Sequence, residues 1–132
     1  MRTNLRMKPN IIEKELSYQI SGLLFKIHND LGRFCREKQY GDAFEKLLKD
    51  TRIEFEREKP LQIAAIDNKL TNKADFIIRK RILLDFKAKP VITKEDYYQI
   101  NRYLESSKLK LGIIVNFRNT YLRPIRVIRS NS

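Results

Sequence analysis

ADFIIRKRILLDFKA, residues 74–88, is the most informative segment of this 132-residue chain. Two apolar runs, 74–79 and 82–87, are joined by a basic turn, which predicts a hairpin of two strands. Strands this apolar are usually covered on both faces. That alone favours a central sheet with helices above and below it. Asp85 and Lys87 stand two apart on the second strand, so both side chains leave the same face. Their Cα atoms would lie ~7 Å apart, from the rise per residue of a strand. Asp75 begins the preceding strand and comes opposite this pair only in one kind of register. A two-residue turn at Lys80-Arg81 would pair Asp75 with Phe86 and split the three polar residues across two faces. A three-residue loop (Lys80, Arg81, Ile82) or a bulge lets Asp75 face Asp85 or Lys87.

Two carboxylates on neighbouring strands suit one hard divalent cation such as Mg2+, which takes carboxylate and water oxygens. The Phe86 carbonyl, lying between Asp85 and Lys87, is a natural further ligand. A lysine beside such a site can orient an attacking water or stabilise developing charge on a phosphoryl group. This set is enough for metal-assisted phosphodiester hydrolysis. The plain alternative is a group of surface residues in weak ion pairs. Against that reading stand the apolar neighbours Phe76, Ile77, Ile78, Leu83, Leu84 and Phe86, because a covered carboxylate needs a partner or a metal.

The rest of the chain arranges itself around this hairpin. Residues 1–10 read as a short basic tail, and 11–132 as a single domain. Asn10 is placed to cap a helix whose apolar stripe runs Ile12, Leu16, Ile20, Leu23, Leu24, Ile27 and Leu31, with Gly32 ending it. A second helix spans 36–50, with Tyr40, Phe44, Leu47 and Leu48 inward. The period then changes to two. Residues 53–59 alternate, Pro60 interrupts, Leu61, Ile63 and Ala65 alternate again, and Asp67-Asn68-Lys69 reads as a turn. Thr93 with Asp96 resembles a capping box and opens a helix to about Ser107. Residues 111–117 read as a buried strand and 125–128 as an edge strand after Pro124. The predicted order, α-α-β-β-β-β-α-β-β, is an α/β fold close to the α+β boundary, with a central mixed sheet flanked by helices.

Composition narrows the function. The 28 Lys and Arg residues against 16 Asp and Glu give +12. The first 66 residues carry 13 basic and 10 acidic side chains and the remainder 15 and 6, so the positive charge gathers in the second half. Such a field suits a polyanion, above all nucleic acid. Arg79, Lys80, Arg81, Lys89 and Arg102 surround the predicted site in sequence and could neutralise phosphates. The series Arg118, Arg123, Arg126 and Arg129 could do the same. No base-reading motif stands out. Cys35 is the one cysteine and His28 the one histidine, which excludes an intrachain disulfide framework and any cysteine-rich or multi-histidine metal site. No apolar run is long enough to cross a membrane. A reducing, cytoplasmic location is the default expectation.

With Asp75 followed by Asp85-Phe86-Lys87, the chain resembles the PD-(D/E)XK nuclease superfamily, with Ala74 in place of the proline. Within it, the chain is similar to the small GxxExxY family. Gly32, Glu37 and Tyr40 in LGRFCREKQY (31–40) match the glycine, glutamate and tyrosine, and the second glycine usual there is Phe34. His28 also fits. Gln99 and Tyr103 match a Q-x-x-x-Y helix, and Gly112, Asn116 and Phe117 match a G-x-x-x-N-F strand. The resemblance covers about residues 11–129. It implies an α/β/α nuclease core, Asp75 and Asp85 as metal ligands, Lys87 as the catalytic lysine and Glu37 as the acidic residue that completes the site. Mg2+ or Mn2+ is the implied cofactor, and DNA in preference to RNA the expected partner.

Other residues carry two readings. Glu37 is also an ordinary helix-start glutamate favoured by the macrodipole, and Tyr40 reads as packing the second helix onto the sheet. Gln99 either contacts the scissile strand or a metal-bound water, or is a satisfied polar residue. Tyr103 lies one turn away on the same face and reads mainly as core. His28 reads as structural and Cys35 as inert. Tyr97 and Tyr98 offer rings that could stack on bases. Cleavage of both strands of a duplex by one small site would favour a homodimer. Two further functions fit the same sequence: a nucleic-acid-binding module with a nuclease-like fold and no cleavage, and a basic scaffold subunit.

Overall fold

A computed structural model describes residues 11–60 and 73–129. Their elements are α1 (Lys14–Leu31), α2 (Glu37–Asp50), β1 (Phe55–Pro60), β2 (Lys73–Ile78), β3 (Ile82–Lys87), α3 (Lys94–Ser107), β4 (Leu111–Asn116) and β5 (Ile125–Ile128). The five strands form one sheet in the order β1-β2-β3-β4-β5. Only the β3–β4 pair is parallel. A parallel pair needs a crossover, and α3 supplies it. The tail 1–10, the Asn10 cap, the alternation at 61–65 and the turn at 67–69 all lie outside the described residues.

Two apolar clusters show why the central strands are continuously apolar. Phe76, Ile78, Leu84, Phe86, Ile113 and Val115 pack beneath α1 and α2. Ile77, Leu83 and Ile114 pack beneath Ile100, Tyr103 and Leu104 of α3. The molecule is therefore an α/β/α sandwich, and every residue of β4 is buried. Gly112 is what allows α3 to sit close. A Cβ there would lie 2.8 Å from Ile100 Cδ1.

Three boundaries differ from expectation. Helix α1 begins at Lys14, after Glu13 in the left-handed conformation (φ 53°), so Ile12 precedes the helix. Pro60 belongs to β1 rather than interrupting it. The β2–β3 loop is Arg79-Lys80-Arg81, one residue earlier than the loop considered above, with Ile78 paired to Ile82. Arg79 (φ 49°) and Lys80 (φ 56°) take up the left-handed turn, and the Arg81 amide donates to the Ile78 carbonyl at 2.8 Å.

Candidate active site

The hairpin loop sets the register on which the site depends. Phe76 pairs with Leu84, so the next step outward brings Asp75 opposite Asp85. The ladder opens there. The Phe86 amide donates to the Asp75 carboxylate (Oδ2, 2.6 Å) instead of to a strand carbonyl. On the other side of β2, the β1 pairing runs Arg57 to Phe76 and Lys59 to Ala74, skipping Glu58 against Asp75. Glu58 has φ 54°, a conformation costly for a residue with a Cβ. The sheet is thus kinked at the two positions that flank Asp75.

Asp85 and Lys87 face α3. The Lys87 ammonium donates to Gln99 Oε1 at 3.2 Å. It lies 3.5 Å from Asp85 Oδ2 and 3.8 Å from Asp96 Oδ1. Asp85 Oδ2 is buried and has no hydrogen-bond partner; Lys87 offers it an ion pair without hydrogen-bond geometry. Burial pushes the Asp75 carboxyl up to about 7, helped by the Asp85 charge and by a hydrogen bond between the two carboxyls, against the pull of the Phe86 amide. Burial raises Asp85 as well, opposed chiefly by Lys87. The pair therefore shares a proton near neutrality when nothing else neutralises it.

Glu37 enters from the first turn of α2. Its side chain reaches solvent, yet the surrounding protein and then the Asp75 charge raise its pKa, while Lys87 and an Ala88 backbone hydrogen bond lower it. Tyr103 is buried, and burial followed by the Asp85 and Asp75 charges raises its hydroxyl. The structure thus brings together Glu37, Asp75, Asp85, Lys87, Gln99 and Tyr103. A cleft of about 220 Å³ reaches two of them, Glu37 and Asp75, and is lined besides by Gly41, Arg57, Glu58 and Phe86.

A hard divalent cation fits these donors. Two carboxylates whose burial and mutual repulsion favour neutralisation face each other, and one bears an oxygen with no hydrogen bond. In an extended strand the N–H and C=O of one residue point the same way. The Phe86 carbonyl accordingly lies on the Asp75 side of β3, where its amide is already bonded. Among the described residues no three Asp, Glu, His or Cys side chains converge as a ready-made cage. The donor set is two carboxylates and a carbonyl, with Glu37 at the edge.

The supporting residues explain the local sequence. The Tyr40 hydroxyl accepts from the Cys35 amide at 3.2 Å and donates to the Gly32 carbonyl. The Tyr40 ring stacks on Phe117 at 4.0 Å. Gly32, at φ 81°, can take a turn that a side chain would strain. Together they pin the loop that delivers Glu37. His28 Nε2 meets the Asn119 carbonyl at 2.9 Å, a structural role. The Asn116 side chain acts as a piece of strand, donating to the Lys89 carbonyl (2.8 Å) and accepting from the Lys89 amide (3.1 Å). Asp96 caps α3 through the Thr93 amide at 2.7 Å and pairs with Lys89 at 2.6 Å. Burial alone would raise its pKa, but the Lys89 and Thr93 hydrogen bonds outweigh that and hold it low.

The basic residues divide. Lys89 is at the site, and Arg102 is exposed on α3 beside Tyr103. Arg79, Lys80 and Arg81 form the hairpin turn, at the opposite end of β3 from Asp85 and Lys87, and Arg81 pairs with Glu13 at 3.3 Å. Arg126 is spent on α1 and the residues before it, donating to Ser17 Oγ at 2.8 Å and to the Ile12 carbonyl. Sequence reasoning missed Glu58 and Arg57. Arg57 lies against Gly41, binds Asp42 and Glu45 at 2.8 Å each, and forms one wall of the cleft. The absent side chain at Gly41 was the one available signal.

Compared with known proteins, the sequence model of the PD-(D/E)XK nuclease superfamily matches residues 14–128. No curated protein and no solved structure matches the chain. None of the described helices is long and apolar enough to cross a membrane.

Proposed function

As the chain belongs to the PD-(D/E)XK nuclease superfamily, we propose that it hydrolyses phosphodiester bonds in nucleic acid at the Asp75–Asp85–Lys87 cluster. The observation that carries this reading is the buried Asp85 carboxylate facing the half-buried Asp75, with an ammonium beside them. Surface ion pairs leave no carboxylate oxygen buried without a hydrogen bond. Asp75, Asp85 and the Phe86 carbonyl are the proposed ligands of Mg2+ or Mn2+, with Glu37 completing the set. When bound, that ion would acidify a water and neutralise charge on the phosphate. Lys87, oriented by Gln99 and Asp96, directs its Nζ protons at the attacking water or a phosphate oxygen. Lys89 and Arg102 hold the neighbouring backbone. The net charge of +12 supports a polyanionic substrate, and DNA is proposed over RNA. The Gly32–Cys35–Tyr40 clamp that delivers Glu37 supports the finer assignment to the GxxExxY family. The single cysteine fits action in the cytoplasm.

The test is metal-dependent cleavage of DNA and RNA by wild type, Asp75→Ala and Lys87→Ala. Each variant is expected to lose about 100-fold or more in rate while keeping its circular dichroism spectrum. Full activity in both would remove the site assignment. Thermal unfolding gives a second readout, since ligand at 100 times Kd adds ~2.7 kcal/mol of stability. Wild type should gain stability from millimolar Mg2+ or Mn2+ and Asp75→Ala should not. Salt-dependent binding with neither cleavage nor a metal-dependent shift would mark a binding module instead.

A further inference from the structure

Phe34 is a large apolar side chain that the fold does not use. It is 73% exposed, at the middle of the loop between α1 and α2. The Arg33 guanidinium lies 4.6 Å from its ring centroid and that of Arg118 lies 5.5 Å away. These two arginines are held by the backbone rather than by acids. Arg33 Nε donates to the Arg118 carbonyl at 2.8 Å, and Arg118 Nε donates back to the Arg33 carbonyl at 3.2 Å. Arg118 Nη2 also reaches the Ala88 carbonyl at 3.2 Å. Among the described residues no carboxylate pairs with either guanidinium, so two fixed positive charges lie over a ring that is still mostly exposed. The Tyr40 clamp on Gly32 and Cys35 fixes the backbone on both sides of Phe34.

The location is as specific as the chemistry. Ala88, which holds Arg118 through its carbonyl, also supplies the backbone hydrogen bond to Glu37. Phe34 is three residues before Glu37, hence within ~11 Å of it Cα to Cα. An exposed aromatic ring with flanking guanidinium groups presents a face for a base and donors for its phosphates, and stacking accepts any base. The same ring is unreachable for the bases of an intact duplex, which are stacked on one another.

We propose that Phe34, with Arg33 and Arg118, is a stacking platform for an unpaired nucleotide next to the scissile phosphate. The platform directs this chain to single-stranded or frayed nucleic acid. That the neighbouring phosphate is the one cleaved rests on the nuclease reading; the platform itself does not.

The experiment measures binding, with EDTA present, of a 12-nucleotide DNA single strand carrying 2-aminopurine and of the matching duplex. Wild type is expected to prefer the single strand and to quench its fluorescence. Phe34→Ala is expected to lose the quenching and to bind the single strand roughly 5- to 150-fold more weakly, the range set by removing one base stack. Its duplex affinity should stay within about twofold, since no base stacks on the ring there. Phe34→Trp should restore both readouts. Arg118→Ala should lower the salt slope on the single strand by about 0.7 for each phosphate that is no longer neutralised. Retained quenching and affinity in Phe34→Ala, or equal weakening on single strand and duplex, overturns the platform. If that occurs while Asp75→Ala still abolishes cleavage, the nuclease reading stands. If stacking is lost in Phe34→Ala but wild type cleaves nothing in any divalent metal, the platform stands and the nuclease reading fails.

Discussion

Asp75 carries a conflict, because the fold half-buries a group that its neighbour Asp85 also repels. The consequence for pH follows by linkage. Its folded pKa, about 7, lies above the ordinary carboxylate value of 3.8. The stability it contributes is therefore fully present below the unfolded value and is lost as pH rises through the folded one. In EDTA, unfolding stability is expected to fall by roughly 2–3 kcal/mol between pH 5 and pH 8, a drop in Tm on the order of 10 °C. Asp75→Asn keeps an acceptor for the Phe86 amide and should flatten that slope. A wild-type Tm that rises over this window, with the variant parallel to it, would contradict the arrangement. A neighbouring position tests the loop. Tyr40→Phe removes the partner of both Gly32 and Cys35 and should cost about 1–3 kcal/mol, with faster hydrogen exchange at the Cys35 amide. Unchanged exchange there would show that the ring stack alone holds the loop. At this scale the sequence was legible where spacing alone sets geometry. Asp85 and Lys87 must share a face of any strand, and Asp75 is correctly placed by a three-residue loop. Glu58 was not legible, because its kink exists only through pairing with β2, and nothing local in residues 55–60 announces it.

Elements were legible in proportion to their periodicity. The apolar stripe of α1 stands in the structure from Leu16 to Ile27, with Leu31 left exposed, and the capping box of α3 stands as read. The start of α1 does not, since Glu13 in a left-handed conformation takes the place before the helix. Two glycines in these elements have opposite reasons to be there, and so opposite expectations. At Gly22, inside α1, an added Cβ would meet nothing within 4 Å. Gly22→Ala should then stabilise by about 0.5–1 kcal/mol through helix propensity. At Gly112, in β4, the Cβ would press on Ile100 and Leu104, both fully buried. Gly112→Ala should destabilise by about 1–3 kcal/mol through overpacking. Chemical denaturation of the two variants checks the pair. Loss of stability at Gly22, or none at Gly112, would mean that α1 or α3 packs otherwise. The sequence could not separate these two positions. Propensity treats every glycine alike, and only the distance between α3 and the sheet decides which one is required.

Over the whole molecule, charge is where sequence and structure part most. A basic turn adjacent in sequence to the strand of Asp85 and Lys87 looks like part of the candidate site. The strand between them is the reason it is not. Four to six residues of extended chain put Arg79, Lys80 and Arg81 roughly 13–20 Å from Asp85 and Lys87. The Debye length at physiological salt is ~8 Å, so their field at Asp85 and Lys87 is largely screened. Lys89 follows β3 and Arg118, distant from that turn in sequence, follows β4; both stand just past the C-terminal ends of the two strands, where the parallel pair brings them together. The net charge of +12 is thus an attribute of the surface, and its useful part is the portion that parallel pairing gathers at one edge. Replacing Arg79, Lys80 and Arg81 together by glutamine is expected to leave kcat on a nucleic acid substrate within about twofold at 0.15 M salt. Any change should appear as weaker capture at low salt, where the Debye length grows to ~30 Å. Lys89→Gln, beside Asp96 and Glu37, should lower kcat by about 10-fold or more, as removal of a positioned charge does. The comparison is made at saturating substrate and 0.15 M salt, with each variant's Tm recorded. A triple variant that loses kcat as severely as Lys89→Gln would mean that substrate is gripped along the full length of the β2–β3 hairpin. The turn would then belong to the catalytic surface after all.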